Sequence, residues 1–220
     1  MYKRQILRAV EKTVQTFGRL DVLINNAGIL VYGPVELATS EQLLMQYNTN
    51  LLGPIRVMQK VLPIMRAQKS GTIVNVTSMG GFIPLPLSAL YNGSKYGLEG
   101  VSECMSLEVD SFGIKIRLVQ PGFISNNFSV KSMERITSET VKDYEPILEN
   151  TQKKYRDMIG KASETESVAE VVYEAATFEG SKLRFIAGDD GIELSARRKR
   201  LSDEEQHERF KEDLHLKLPA

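Results

Sequence analysis

Apolar side chains recur along the chain in two alternating patterns, one typical of helices and one typical of buried strands. Between Ile6 and Phe17 they recur at helical spacing, and Gly18 then interrupts the pattern. The short run Asp21–Ile24 is largely apolar, as expected of a strand enclosed by other elements. The sequence therefore predicts an opening helix followed by a strand.

The same alternation continues along the rest of the chain. Helices are predicted over Ser40–Arg66, Ser88–Asp110 and most of Ser138–Phe178, and strands over Thr72–Thr77, Ile114–Val119 and Leu183–Ala187. Pro54 is expected to kink the first of these helices, because proline cannot donate a backbone hydrogen bond. The sequence Ser202-x-x-Glu205 is a capping box, which predicts a further helix near the end of the chain.

Long helices between continuous apolar strands are the pattern of a parallel sheet covered on both faces, so we predict an α/β fold. Three of the strands are followed by polar or special residues, namely Asn25–Gly28, Thr77–Ser78 and Pro121–Gly122. Ligands bind beyond the carboxyl ends of parallel strands. We therefore expect these three segments to form a site at one edge of the sheet.

The composition is that of one globular domain with a charged end. Of the 220 residues, 42% are hydrophobic and 25% are charged. We expect residues 1–190 to form the domain and residues 191–220 to form a charged helical tail. The 28 basic residues balance the 28 acidic ones, so the net charge does not favour binding to nucleic acid. The basic run Arg197–Arg200 is followed at once by acidic residues, and we interpret it as the solvated start of a helix.

Several other classes of protein are disfavoured by the residues present. The single cysteine, Cys104, cannot form an internal disulfide, which favours a reducing compartment. No apolar run approaches the roughly 18 residues of a membrane-spanning helix, and the start does not resemble a signal peptide, so we expect a cytoplasmic protein. The two histidines, His207 and His215, lie in the tail, which argues against a serine hydrolase or a histidine-rich metal site. We predict no metal site.

The candidate chemistry centres on Tyr91 and Lys95, which lie four positions apart near the start of a predicted helix. Residues at this spacing share a helix face, so an ammonium group near the phenol should lower its pKa below the usual value of about 10. Such a phenol suits acid/base work on an alcohol or ketone oxygen. Ser78 ends the preceding strand and could hold the same oxygen. Taken singly, these residues are a weak signal, because tyrosine and lysine are common on solvated helix faces and a serine at a strand end often caps a turn.

Taken together, five motifs resemble the short-chain dehydrogenase/reductase superfamily in their order and spacing, and the match is to its single-domain branch. The motifs are Asn25-Asn26-Ala27-Gly28, Asn50 with Gly53, Ser78, Tyr91-x-x-x-Lys95 and Pro121-Gly122. The resemblance covers roughly residues 5–187. It implies a Rossmann-like, doubly wound parallel sheet. It also implies an oxidoreductase that transfers a hydride between NAD or NADP and a secondary alcohol or ketone.

The resemblance also implies roles for single residues. Tyr91 would be the acid/base, Lys95 would lower its pKa and bind the nicotinamide ribose, and Ser78 would orient the substrate oxygen. Asn50 would hold a water that links Lys95 to solvent. The residues expected to bind the cofactor are Asn25, Ala27, Gly28, Tyr91, Lys95, Pro121, Gly122 and Ile124. Those expected to contact the substrate are Ser78, Tyr91 and Phe123.

One motif of the family does not occur in this sequence. The family binds the pyrophosphate at a turn of sequence Thr-Gly-x-x-x-Gly-x-Gly between its first strand and first helix. The nearest glycines here, Gly93, Gly97 and Gly100, fall inside the predicted helix that carries Tyr91. We therefore expect an N-terminally truncated copy that lacks the first βα units of the fold. The strand Asp21–Ile24 would then be an open apolar edge.

The alternative to an active oxidoreductase is an inactive fragment or pseudoenzyme that serves as an interaction module. An epimerase or dehydratase would need a larger substrate domain than this chain has room for. The apolar residues expected near the site suggest an apolar substrate, although they could instead pack the loops: Phe82, Ile83, Leu85, Phe123, Phe128 and Met133. The choice between NAD and NADP stays open. By analogy with the family, we expect a homodimer or homotetramer that pairs through the helices Ser40–Arg66 and Ser88–Asp110.

Overall fold

The structure, a computed structural model, describes residues 2–126, 128–138, 141–160 and 162–213. His215 and the last part of the predicted tail lie outside the described residues. The helices are α1 (Tyr2–Phe17), α2 (Ser40–Tyr47), α3 (Gly53–Gln68), α4 (Ala89–Val109), α5 (Phe128–Lys131), α6 (Glu145–Ile159), α7 (Thr165–Thr177), α8 (Asp189–Arg200) and α9 (Asp203–Asp213). The strands are β1 (Val22–Asn25), β2 (Leu30–Tyr32), β3 (Gly71–Val76), β4 (Ile114–Pro121), β5 (Ile124–Ser125), β6 (Met133–Arg135), β7 (Ser163–Glu164) and β8 (Arg184–Ala187).

The main sheet has four parallel strands in the order β1-β3-β4-β8. On one face, α1, α3 and α4 pack against the sheet around Met58, Met65 and Ile116, each at most 1% exposed. On the other face, α7 packs against Val74 and Phe185. Burial of each such side chain contributes about 1.5–3 kcal/mol to folding. The predicted α/β fold, with a parallel sheet covered on both faces, is confirmed.

Strand β1 lies at an edge of this sheet. Its apolar residues Val22 and Ile24 are 42% and 46% exposed, whereas residues of the neighbouring strand β3 are largely buried. Among the described residues, β1 pairs with β3 alone. Its carboxyl end nevertheless lies beside that of β3, because Asn25 pairs in register with Asn75. The edge strand therefore still contributes its polar end to the site.

The helix predicted over Ser40–Arg66 is divided in two. One π-helical turn, Asn48–Leu52, joins α2 to α3, and α3 begins at Gly53. Pro54 lies in the first turn of α3, directly after the π turn, where a missing N–H group is tolerated. The kink expected at this position stays a prediction. Helix α2 is capped by Thr39, which forms a capping box with Gln42. The π turn, a feature often found at functional sites, carries Asn50.

The predicted helical region Ser138–Phe178 contains the short strand β7 between α6 and α7. Strand β7 pairs with β5, and β2 pairs with β6, so two small parallel sheets lie beside the main one. Strands of two or three residues carry no readable period, which is why the sequence pattern missed them. The run Arg197–Arg200 ends α8 and does not begin a helix; basic residues are favourable at that end of a helix dipole.

The end of the described chain follows the sequence pattern more closely. The capping box at the start of α9 is confirmed by bonds from the Ser202 N–H to Glu205 at 2.8 Å and from the Glu205 N–H to Ser202 at 3.2 Å. The division expected between residues 190 and 191 falls inside α8 and stays a prediction. Within the described ranges, no helix combines the length and the apolar character needed to cross a membrane.

Candidate active site

Helix α4 approaches α2 and the π turn closely because it carries glycine at the contact. A Cβ on Gly93 would lie 2.5 Å from Tyr47 Oη, and one on Gly97 would lie 3.0 Å from Leu51 Cδ2. These glycines, which lie inside a helix and form no phosphate-binding turn, thus serve helix packing. Because these glycines allow close packing, the π turn that carries Asn50 lies directly against the helix that carries Tyr91 and Lys95.

Tyr91 and Ser78 meet where β3 ends and α4 begins. Ser78 Oγ accepts a bond of 3.0 Å from the Gly80 N–H, and a Cβ on Gly80 would lie 3.1 Å from Tyr91 Cε1, so the Tyr91 ring borders this turn. Burial raises the pKa of Tyr91, and the nearby Ser78 hydroxyl lowers that pKa only in part. The expectation of a Tyr91 pKa below the usual value is therefore wrong for this structure. The Lys95 ammonium lies 5.7 Å from the centroid of the Tyr91 ring, and burial is the largest influence on the pKa of the phenol.

Lys95 is an almost fully buried lysine, with 4% of its surface exposed. Its Nζ donates a hydrogen bond of 2.9 Å to the carbonyl of Val76. Burial lowers the pKa of Lys95 to about 8, while the negative charge of Glu99 acts to raise it. An ammonium group has three N–H donors. Val76 is its one hydrogen-bond partner among the described residues, so donors remain for a ligand.

Asn50 is fully buried and holds the segment that follows β1. Its side-chain amide donates to the Ile29 carbonyl and accepts from the Ile29 N–H, both at 2.9 Å. A Cβ on Gly28 would lie 3.5 Å from Asn50 Oδ1 and 3.8 Å from Lys95 Nζ. Gly28, Asn50 and Lys95 therefore border the same point. The role of Asn50 in holding a water stays a prediction.

The segment after β1 contains three of the residues expected to bind a cofactor. The Asn25 side chain donates to Asn75 Oδ1 at 2.8 Å, and Asn75 in turn donates to Ser102 Oγ at 2.8 Å. Asn25 is thus bonded to strand β3, and only through Asn75 is it linked to α4. Ala27 is exposed and Gly28 is half-buried, so these two residues present surface at the edge of the site.

The segment after β4 contains the other candidates and is bound to the segment after β8. The Gly122 N–H donates to the Ala187 carbonyl at 2.9 Å, and the Phe123 N–H donates to Asp190 Oδ2 at 2.7 Å. The Asp190 carboxylate fills the space that a Cβ on Gly122 would need. Pro121 ends β4, and Ile124 begins β5. A side chain at Gly122 would therefore displace the acid that positions this segment.

Aromatic side chains from α5 and α6 approach the site from one side. The Phe128 ring lies 6.5 Å from that of Tyr91, and the Tyr155 ring lies 5.8 Å from that of Phe123. Tyr155 also donates a bond of 3.1 Å from its hydroxyl to the Pro86 carbonyl, and burial raises its pKa. Of the six apolar residues expected near the site, Ile83 is only 1% exposed and belongs to the protein core.

Three buried or partly buried polar residues at the site were missed by sequence reasoning. Gln46 is fully buried, accepts a 2.7 Å bond from the Val31 N–H and donates to the Ile29 carbonyl at 3.1 Å. The sequence could have indicated Gln46, because it lies one helical turn before Asn50 and therefore on the same helix face. Glu99 lies one turn after Lys95 and had the same signal. Asp190 gave no comparable signal, because its contact joins segments distant in the chain.

Comparison with known sequences gives one family match and close relatives. The sequence model of the short chain dehydrogenase family matches residues 2–136. An uncharacterized oxidoreductase of Schizosaccharomyces pombe is 40% identical over 201 residues, which span 90% of this chain and 83% of the relative. A 3-ketodihydrosphingosine reductase of Bacteroides thetaiotaomicron is 45% identical over 124 residues, which span 56% of this chain and 46% of that protein.

Comparison with solved structures gives the same fold. A short-chain dehydrogenase from Streptomyces avermitilis has a TM-score of 0.77 at 29% identity, with 94% of this chain and 76% of that chain covered. A metagenomic short-chain oxidoreductase in complex with NADP has a TM-score of 0.52 at 30% identity, with 54% of each chain covered. Both similarities agree with the α/β fold described above.

Proposed function

The chain belongs to the short-chain dehydrogenase family, and we propose that it transfers a hydride between NAD or NADP and a secondary alcohol or ketone. The observation that carries the proposal is the meeting of Ser78, Tyr91 and Lys95 at the carboxyl edge of the sheet. A hydroxyl, a phenol and an ammonium group so arranged can bind an oxygen and move a proton to it.

The residues present fit the nicotinamide and ribose end of the cofactor, whereas the family's pyrophosphate-binding turn does not occur in this sequence. Lys95 keeps N–H donors beyond the one used by Val76, and Gly28 leaves open the space beside Lys95 Nζ that a side chain would narrow. When bound, NAD or NADP supplies or accepts the hydride. Tyr91 and Lys95 would hold the ribose side. The other residues proposed to hold the cofactor are Asn25, Ala27, Gly28, Pro121, Gly122 and Ile124. The similar metagenomic oxidoreductase was solved in complex with NADP, which supports this choice.

Tyr91 is the proposed acid and base. It donates its hydroxyl proton to the ketone oxygen in reduction and takes a proton from the alcohol in oxidation. Ser78, near the same hydroxyl, orients the substrate oxygen. Lys95 stabilises the negative charge on Tyr91 after the proton has left, because an opposite charge nearby favours the ionised form. Asn50 holds a water through which Lys95 exchanges protons with solvent.

The substrate is proposed to be apolar next to its reacting carbon. Phe123 and Phe128 provide apolar surface near Tyr91 and the segment after β4, and Tyr155 lies against Phe123. Aromatic side chains contribute large apolar contact areas in binding sites. The Bacteroides relative is named for the reduction of 3-ketodihydrosphingosine, which is in line with a ketone substrate.

The variant Tyr91→Phe tests the proposed acid. It keeps the ring and removes the proton, so we expect turnover to fall by about 10²- to 10⁴-fold while the affinity for the cofactor stays nearly unchanged. Turnover is measured from the absorbance of the reduced nicotinamide with a panel of apolar secondary alcohols and ketones, and affinity by calorimetry. The matched control is Tyr96→Phe, because Tyr96 lies on the same helix and is 44% exposed.

Two results would contradict the proposal in different ways. Full turnover in Tyr91→Phe would remove Tyr91 from its role while leaving the reaction class in place. No turnover by the wild-type chain with either cofactor would reject the proposed reaction and favour the alternative, an inactive interaction module.

We also propose that the chain pairs with copies of itself through α2, the π turn, α3 and α4, as a homodimer or homotetramer. The exposed apolar residues on these elements support this proposal, with Leu44 at 63% and Leu107 at 81% exposure. Light scattering coupled to size-exclusion chromatography tests it, and a monomer at high concentration would contradict it.

A further inference from the structure

Glu99 is a buried carboxylate that the proposed reaction does not use. It lies on α4 one turn after Lys95, so both side chains are on the same helix face. Only 6% of its surface is exposed. A buried carboxylate is costly unless charge and hydrogen bonds compensate for the lost water. The hydrogen-bond partners of Glu99 therefore indicate which part of the structure this buried charge stabilises.

The Glu99 carboxylate is bonded by side chains from three strand segments. Oε1 accepts from Thr77 Oγ1 at 2.5 Å and from Gln120 Nε2 at 3.0 Å. Oε2 accepts from Arg184 Nε at 2.9 Å. Thr77 follows β3, Gln120 lies in β4 and Arg184 begins β8. One side chain thus joins α4 to three neighbouring strands beside the proposed active site.

The same network reaches Lys95 from two directions. Through the chain, Thr77 is the neighbour of Val76, whose carbonyl accepts the bond from Lys95 Nζ, and of Ser78. Through space, the charge of Glu99 raises the pKa of Lys95 against the effect of burial. Glu99 therefore acts on both the geometry and the charge of the lysine.

We propose that Glu99 is a positioning residue that keeps Lys95 protonated and holds the end of β3, with Ser78, against α4. This inference rests on the proposed function, in which a charged Lys95 stabilises ionised Tyr91. Glu99 itself touches neither substrate nor cofactor. It acts through Lys95 and through the segment Val76–Ser78.

The other charged and titratable groups around this pair limit the size of the effect. Tyr91 lies on the same helix, and Tyr47 approaches from α2. Arg184 pairs with Glu99 and also with Glu103, the latter at 2.7 Å. Because Arg184 partly neutralises Glu99, removal of the Glu99 charge should shift the titration of Lys95 by about half to one pH unit, less than an unpaired carboxylate would.

The test measures the titration of Lys95 directly. Protein labelled with ¹³C at the lysine Cε is titrated by NMR, and the Lys95→Met variant identifies the signal. In Glu99→Gln, which keeps an oxygen to accept from Thr77, the midpoint of Lys95 should fall by about half to one pH unit. The matched control is Glu103→Gln, which also removes a partner of Arg184 but lies further along the helix and is exposed. In Glu103→Gln, the titration midpoint of Lys95 should stay near the wild-type value. An unchanged or higher midpoint in Glu99→Gln would overturn the inference.

A second variant, Arg184→Gln, tests the same inference if Glu99→Gln does not fold. Arg184→Gln removes the cation that opposes Glu99, so the Lys95 midpoint should rise, and a fall or no change would also overturn the inference. Circular dichroism verifies the fold of each variant. In turnover assays, the alkaline limb of kcat should move to lower pH in Glu99→Gln. If the wild-type chain shows no turnover, the proposed function fails while the NMR midpoints still decide the role of Glu99.

Discussion

At the scale of single residues, burial controls the ionisation of the candidate site. It raises the pKa of Tyr91 and lowers that of Lys95 to about 8, so both changes favour the neutral form. Near neutral pH, Lys95 is still mostly charged, because its pKa lies above that pH. The site thus holds a neutral phenol beside a cation, which is the state required to donate a proton to a ketone.

The buried lysine predicts how stability depends on pH. Lys95 titrates near pH 8 in the folded protein, against a reference value of 10.5 for the unfolded chain. Between these values the unfolded state binds more protons, so this group makes the protein more stable as the pH rises, by at most about 1.4 kcal/mol per pH unit. Below about pH 8 its contribution is constant.

The variant Lys95→Met removes this titration. The free energy of unfolding, measured with urea from about pH 7 to about pH 9.5, should rise with pH in the wild type relative to Lys95→Met. The exposed Lys153→Met is the matched control. A difference between the wild type and Lys95→Met that does not change over this range would contradict the burial of a charged Lys95.

Sequence alone locates the residues that act through short spacings. Tyr91 and Lys95 are one helical turn apart, and Ser78 lies two residues after the strand before them, so short spacings in the sequence bring them together. Asp190 and Arg184 come to the site through contacts with residues far away in the chain. Such contacts depend on the register of the sheet, and no local pattern encodes them. The direction of the Tyr91 pKa shift was missed for the same reason, since burial is a property of the whole fold.

At the scale of elements, the site depends on the close contact between α4 and the α2–π-turn segment. Glycine at positions 93 and 97 permits this contact, and Asn50 and Gln46 then hold the segment after β1. The long helix predicted from Ser40 gave no sign of the π turn. The π turn differs from an α-helix in its backbone hydrogen bonds, such as that from the Gly53 N–H to the Asn48 carbonyl, and the spacing of apolar residues does not encode this difference.

The variant Gly93→Ala tests this contact. The new methyl group would lie 2.5 Å from Tyr47 Oη, so the helices or Tyr47 must move, at an expected cost of about 1–3 kcal/mol in the free energy of unfolding. The control Gly100→Ala lies on the same helix with no atom within 4 Å of the new methyl group, and should stabilise the protein by about 0.5–1 kcal/mol. Equal effects of the two substitutions in urea denaturation would contradict the packing role of Gly93.

At the scale of the whole molecule, the part of the chain after β4 is packed over the site built by the part before it. Tyr155 on α6 contacts Phe123 and Tyr32 with its ring and Pro86 with its hydroxyl. The parallel sheet followed from the alternation of helices and strands, whereas its strand order β1-β3-β4-β8 was not predicted. The pairing of β2 with β6 and of β5 with β7 did not, because it joins very short segments across this covering layer.

The variant Tyr155→Leu should weaken the covering layer. Loss of the aromatic contacts, each worth about 0.5–1.5 kcal/mol, should raise the KM for an apolar substrate by about three- to tenfold with a smaller change in kcat. The control Tyr173→Leu lies on α7, where the side chain is 72% exposed. An unchanged KM in Tyr155→Leu would show that α6 does not border the bound substrate.

A deuterium label can follow the transferred hydride itself from the substrate to the cofactor. The wild-type chain is incubated with NAD or NADP and an apolar secondary alcohol that carries deuterium on its carbinol carbon, and the nicotinamide is analysed by mass spectrometry. We expect deuterium in the reduced nicotinamide with the wild type and with Tyr96→Phe, and almost none with Tyr91→Phe. Reduced nicotinamide without deuterium, or deuterium transfer that persists in Tyr91→Phe, would contradict hydride transfer with Tyr91 as the acid and base.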